Sequence, residues 1–515
     1  MQYITITYFL QNRTYFSSFI TIPLYCRIID NFRKKVYFQN RRGQKYITFT
    51  MKGIVFMGDI KIYQSKLNGC EMFEQLNTKI EFDSSDDYRN PFAEKTISIF
   101  PEKRYQKIIG FGGAFTETAA YNYSLMSEKS KKRIVEALFD KNKGLGYNFC
   151  RTHINSADFA ISRYTYVEEN DTELKTFDIG REKKYVIPFI QDAMDTAGES
   201  LFLFASPWSP PAWMKDTNSM IEGGRLLDKY YGVWAKYFVK YFEHFKEEGV
   251  NFFALSVQNE ARAWQTWESC RYSAEEEGIF VHKYLKPALD EAGLGDIKIM
   301  IWDHNRERVY ERPRDTFNLV PGSYDDVWGI AFHWYSGDHF ASLDMANESF
   351  PDKPLILTEY CFGTSRAVQG KAAHTNWYGA EGYARELISC FNHHMAAEID
   401  WNMLVDEVGG PFHDRTTGCK AVIVVDPEND EVNLEPTYYA VAHFSRFVER
   451  DAVRIGCSSL SEEIKATAFQ NPNGDIVLVV LNQLHNEEEL EIRLNSSAAR
   501  VTFPAHSLTT YIFEA

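Results

Sequence analysis

Short apolar runs recur along the middle of the chain, spaced widely enough to leave room for a helix between neighbours. They read "KIIGFGGAFT", "YNFCRTHIN", "LFLFASPW", "FFALSVQNE", "IKIMIWDHN", "WGIAFHWY", "LILTEYC" and "IDWNMLVDE". Most are continuous rather than alternating, as expected of parallel strands covered on both faces. The intervals carry helical periodicity. In "DKYYGVWAKYFVKYFEHFKEEG", Tyr231, Trp234, Ala235, Phe238, Phe242 and Phe245 share one face, and Gly249 supplies the stop. Eight strand–helix alternations predict an α/β fold, a (β/α)8 barrel over residues 104–411.

Further on, the pattern changes. "KAVIVVD", "EEIKATAFQN", "DIVLVVLNQ", "LEIRLNS", "ARVTFPA" and "LTTYIFEA" are short strands parted by turn signals such as Asn471-Pro472-Asn473-Gly474. Ahead of the barrel, "DIKIYQS" and "EKTISIF" are stranded too. Residues 58–103 and 412–515 are therefore expected to form one β-sandwich domain from segments of both termini. Residues 1–55 stand apart. The first fifty hold eight Lys or Arg against one acid, Asp30. They read as a basic extension without native structure of its own, with a membrane-surface arm as the alternative.

Charge and cysteines narrow the function. A net charge of −15 excludes nucleic acid as the expected partner, because phosphate binding needs a basic surface. "TYFSSFITIPLYC" is too short to span a membrane, and no signal-peptide order is present. A cytoplasmic protein is expected, with no stable membrane insertion. Its eight cysteines form no CxxC pair, so reduced thiols are expected rather than a zinc or disulfide framework. No HExxH spacing joins His304, His333, His393, His394 or His413, so no metal is expected. "GFGGAFT" lacks the lysine and spacing of a phosphate loop, and its glycines suit tight packing of the first strand. There is no GxSxG. No cofactor is called for.

In a barrel of this kind the chemistry gathers where the strands end. Those ends supply Arg151, Trp208, Asn259-Glu260, Trp302-Asp303-His304, His333-Trp334-Tyr335, Glu359 and Trp401-Asn402. Glu260 and Glu359 close the fourth and seventh strands and so face each other across one mouth. Either alone reads more readily as a buried ion-pair partner in a large barrel. Together, among aromatics, they match the two carboxyls of glycoside hydrolysis: one protonates the leaving oxygen, the other attacks the anomeric carbon or activates water. Asn259 beside the acid suits a hydrogen bond to a sugar hydroxyl. The proline-rich "SPWSPPAWMK" suits a stiff loop holding Trp208. A binding protein without turnover on the same scaffold is the alternative from another class, and it would be expected to lack one of the two carboxylates.

Several motifs, in order, carry a resemblance: "GFGGAFTETAA", "GYNFCRTHINSADFAISRYTY", "ASPWSPPAWMK", "VQNE", "IAFHWYSG", "LTEYCFG", "DWNMLVDEVGGP" and "AHFSRFVERDAVRIG". Over residues 58–515 the chain resembles glycoside hydrolase family thirty of clan A, the group containing glucosylceramidase. The resemblance implies a retaining β-glycosidase with Glu260 as general acid/base and Glu359 as nucleophile. It also implies that Asp158, Trp208, Asn259, Tyr335 and Trp401 line the sugar site, and that Arg151 neighbours the nucleophile. Many relatives carry proline after the Asn-Glu pair, where this chain has Ala261 followed by "RAWQTWESC". That loop shapes the leaving-group side. The expected substrate is a β-glucoside or short oligosaccharide, with β-xylosidase and β-1,6-glucanase as the family's alternatives.

Overall fold

A computed structural model describes residues 35–38, 45–48, 60–66, 72–78, 80, 82, 95–198, 201–362, 377–413, 419–459, 461–495 and 497–515. Residues 1–55 form a separate unit. In it Lys35–Phe38 pairs antiparallel with Lys45–Thr48. The rest of the expected basic extension lies outside the described residues.

Eight parallel strands close into a barrel. They are β1 (Gly110–Phe115), β2 (Phe149–Ile154), β3 (Phe202–Pro207), β4 (Ala254–Ser256), β5 (Lys298–Asn305), β6 (Val327–His333), β7 (Leu355–Glu359) and β8 (Met395–Asn402). The continuous apolar runs have the expected physical cause. Phe149, Phe204, Ala254, Met300, Ala331, Ile356 and Ile399 pack together in one core. Their neighbours Cys150, Leu203, Leu255, Ile301, Ile330 and Leu357 belong to another, shared with the surrounding helices. The helix Tyr231–Glu247 buries the face its periodicity marked out, and Gly249 turns the chain at φ +82°. Gly112 is required by close approach: a Cβ there would lie 1.8 Å from the carbonyl oxygen of Phe149 on β2.

Two strand readings need correction. "FFALSVQNE" contributes only three strand residues, so Glu260 stands in a turn beyond the strand. "IDWNMLVDE" straddles two elements. β8 begins earlier, at Met395. Leu404–Asp406 instead joins a separate three-stranded sheet with Ile423–Asp426 and Glu431–Leu434. The cysteine reading also changes. Cys361 and Cys419 form a disulfide across 58 residues, while Cys150, Cys270, Cys390 and Cys457 are free. No CxxC spacing could signal a bond between such distant loops.

The second domain is a nine-stranded sheet that draws on both ends of the chain. Ile60–Lys66 pairs with Ser507–Phe513, and Thr96–Lys107 pairs with Val453–Ser459 on one side and Glu488–Leu494 on the other. The strand Ile476–Asn482 is buried throughout, because both its faces are covered. Ile476, Leu478 and Val480 enter the sheet's own core. Val477, Val479 and Leu481 join the core of the barrel's helix layer. At this seam the helix Pro436–Ser445 places His443 against the sheet. Its Nε2 meets Ser65 Oγ and its Nδ1 meets Thr510 Oγ1, each at 2.9 Å.

Burial, aided by Arg446, pushes the His443 pKa down to about 3. The folded state therefore refuses a proton that the unfolded chain accepts below about 6.5. Stability from this group is complete above that pH and declines as pH falls towards 3. Between pH 7 and pH 5 the wild-type protein should lose about 2 kcal/mol more than a His443→Gln variant, at about 1.4 kcal/mol per pH unit. Denaturant unfolding at the two pH values measures the difference.

Candidate active site

The site is built around a cation. Arg151 projects from the middle of β2 and is fully buried. One terminal nitrogen donates to Glu359 Oε2 and to the Thr358 carbonyl, both at 3.1 Å. The other donates to Asn259 Oδ1 and Asp303 Oδ2, both at 2.9 Å. The guanidinium also lies 4.7 Å from the ring of Trp208 and 5.7 Å from that of Trp401. These two indoles stack on each other at 5.1 Å. One buried charge thus fixes two carboxylates, an amide and two aromatic faces from five other strands or their ends.

Asp303 is the second fixed point. It accepts hydrogen bonds from Arg151, from Ser256, from Thr358 Oγ1 at 2.6 Å and from His333 Nε2 at 3.0 Å. Despite burial, Arg151 and His333 hold its carboxyl well below the usual range. The backbone around it is strained: Trp302, Asp303 and Glu260 all have positive φ, at +76°, +45° and +48°. A hydrogen bond from the Glu260 N–H to the Asp303 carbonyl, at 2.8 Å, ties the two strained turns together.

The two glutamates sit on either side of His333. Its Nδ1 lies 3.4 Å from Glu260 Oε1, and its Nε2 lies 3.9 Å from Glu359 Oε2. Glu359 is held at both oxygens, by Arg151 and by the Tyr335 hydroxyl at 2.8 Å. Glu260 takes a looser set: Gln265 Nε2 at 3.2 Å on Oε2, and His304 Nδ1 at 3.5 Å beside Oε1. Burial disfavours a charged His333, yet Glu359, Asp303 and Glu260 outweigh it and raise its pKa to about 9. Burial pushes Glu359 up to about 7, with His333 and Arg151 opposing and Glu260 and Asp158 adding. Burial would also raise Glu260, but His304 and His333 hold it well below the carboxylate range. The two carboxyls share one field and titrate as a pair, with one step far down and one near neutrality.

All eight residues expected from the sequence reach this region. Arg151, Asn259, Glu359, Trp208 and Trp401 are joined directly, Tyr335 through Glu359, and Glu260 through His333. Asp158 is buried in the loop after β2, between Ala157 and Phe159, which pack in one cluster with Trp208 and Trp401. Asp303 and His333 are the partners the sequence reading listed at strand ends without assigning. Their importance rests on contacts between strands, which spacing along the chain does not reveal. Cys361, Cys419, Trp267 and Phe412 also join the aromatic cluster, from loops that no periodicity marks. Glu260, His304 and His333 bring one possible metal-ligand atom each within 4.8 Å of one another. They come from three separate segments, so no motif could announce them. His333 already spends its Nε2 on Asp303.

Arg151→Met should leave Asp303 and Glu359 buried without their counter-ion. The expected loss of stability is about 3–5 kcal/mol, read from denaturant unfolding near neutral pH. A change below about 1 kcal/mol, the range of an exposed ion pair, would show that the guanidinium does not hold the mouth together.

Residues 108–448 match the Glycosyl hydrolase family 30 TIM-barrel domain, and residues 451–511 match the Glycosyl hydrolase family 30 beta sandwich domain. Putative glucosylceramidase 3 of Caenorhabditis elegans is 32% identical over 490 residues, covering 90% of each chain. Lysosomal acid glucosylceramidase of Mus musculus is 30% identical over 433 residues, covering 81% of this chain and 83% of its own. Among solved structures, SrfJ from Salmonella typhimurium superposes with a TM-score of 0.83 at 32% identity, covering 89% of this chain and all of its own. An endo-β1,6-glucanase superposes with a TM-score of 0.79 at 26% identity over the same shares. With both domains matched and relatives of this likeness along most of its length, the chain belongs to glycosyl hydrolase family 30 and is a glycosidase.

Proposed function

We propose that the protein hydrolyses β-glucosidic bonds with retention, by double displacement, in the manner of a glucosylceramidase-like β-glucosidase. The observation that carries the reading is the unequal treatment of the two carboxyls. Glu359 is gripped at both oxygens by Arg151 and Tyr335, donors that favour its charged form and aim it. Glu260 is held loosely beside two imidazoles. Glu359 attacks the anomeric carbon while Glu260 gives a proton to the leaving oxygen. Glu260 then takes a proton from water, and the glycosyl–Glu359 ester breaks. Asn259, oriented by Arg151, meets the sugar hydroxyl next to the reacting carbon. Trp208, Trp401 and Asp158 line the ring's seat. Between its two titration steps the pair of carboxyls holds one proton, and the form that reacts carries that proton on Glu260 while Glu359 is charged.

The relatives named glucosylceramidase support a β-glucoside as substrate. The similarity to an endo-β1,6-glucanase supports a second reading, cleavage within a β-1,6-glucan. Parallel assays on glucosylceramide in detergent, an aryl β-glucoside and a β-1,6-glucan rank the two. Incubation with an activated 2-deoxy-2-fluoro β-glucoside should add one sugar to the peptide containing Glu359, seen by mass spectrometry. A label elsewhere would remove Glu359 from the nucleophile role, and an absent label would count against a retaining enzyme that accepts glucose.

The paired titration sets the pH profile. Below the lower step both carboxyls are protonated and no nucleophile remains. Above the upper step, at about 7, both are charged and no acid remains. kcat/KM should form a bell on the acidic to neutral side and decline above about pH 7. Glu260→Ala should cost about 10²–10⁴-fold on alkyl glucosides and far less on activated aryl glucosides, while flattening the alkaline limb. Equal losses on both substrate types would exclude Glu260 as the acid.

A further inference from the structure

The protein carries a formal charge of −15, yet five arginines converge on one cavity. Arg225, Arg262, Arg271, Arg308 and Arg312 line a space of about 470 Å³ beside Trp302. That volume lies within the range of small-ligand pockets. Three of the five are already engaged. Arg225 pairs with Glu276, and Arg308 with Glu311 at 2.9 Å. Arg312 donates to Glu277 at 3.0 Å and to the Ser273 carbonyl at 2.9 Å. The remaining acid of the wall, Asp315, pairs with Arg314 outside it. Arg262 and Arg271 are exposed and have no side-chain partner among the described residues.

The excess of charge is thus concentrated on two free guanidiniums that share a walled space with three more. Like charges in such a space repel, and an anion placed between them removes that repulsion. The guanidinium's planar fork of donors fits the oxygens of a phosphoryl group two at a time. We propose that this cavity binds a small soluble oligoanion carrying phosphoryl groups, held chiefly by Arg262 and Arg271. The location gives such binding a consequence. Arg262 and Arg271 bracket the loop that carries Gln265, the donor to Glu260, so one anion joining them pins that loop at both ends.

The inference goes beyond the glycosidase reading, and its test needs no turnover. Inorganic pyrophosphate is titrated calorimetrically into the full chain at low ionic strength, and into an Arg262→Gln/Arg271→Gln double variant. Both side chains are exposed, so the variant should keep the far-UV circular dichroism of the parent. Saturable binding that weakens by about ten-fold or more in the double variant is expected, the equivalent of losing one charge-assisted hydrogen bond. No saturable binding, or equal affinity in both proteins, would overturn the proposal. A second arm uses co-sedimentation with phosphatidylglycerol vesicles. Vesicle binding lost in the double variant, without pyrophosphate binding, would also overturn it and assign the arginines to a lipid headgroup surface.

Discussion

A guanidinium buried in the middle of a barrel strand is the constraint from which the mouth of this protein is built. Removing Arg151 from water is costly, and the cost is offset by pairing its two terminal nitrogens. The chain meets that demand with Asp303 from β5, Glu359 from β7, Asn259 from the turn after β4 and two stacked indoles from the ends of β3 and β8. Each partner is then fixed by the same contacts that neutralise the charge. Preorganisation of the pocket is therefore a by-product of solving one desolvation problem.

The same contacts separate the two glutamates in character. Both are buried carboxyls at strand ends, and the sequence presents them as equivalents. What distinguishes them is the supporting layer. A guanidinium and a phenol fix the direction of Glu359, while imidazoles and a loop amide hold Glu260 by longer contacts. His333 lies between them and answers to both, and its own anchor is Asp303, which is also Arg151's partner. The charge network closes on itself, so a change at one member is felt by the others.

The barrel was legible because its strands are buried on both faces and so read as continuous apolar runs. The eight pocket residues were legible through strand ends and motif order. Failures of the sequence reading share a physical origin. β4 is only three residues long because Val257–Glu260 leaves the sheet in a strained turn, and a positive φ at a glutamate has no compositional signal. The boundary of β8 was displaced because "MAAE" carries a buried acid, Glu398, which looks like surface until Tyr360 is found donating to it. Asp303, His333 and the Cys361–Cys419 bond depend on encounters between distant segments, and only the closed barrel brings these together.

The interleaving of the two domains also bears on the order in which the protein can form. Ile60–Lys66 and Thr96–Lys107 are made early, but their partners Val453–Ser459, Glu488–Leu494 and Ser507–Phe513 are made last. At about 5–20 residues per second, the early strands wait on the order of tens of seconds for the sheet that will cover them. During synthesis they are unpaired edges, open to pairing with other nascent chains. Lys61, Lys66, Lys103, Arg104 and Lys107 stud both strands with positive charge, which keeps like edges apart until the far end of the chain arrives.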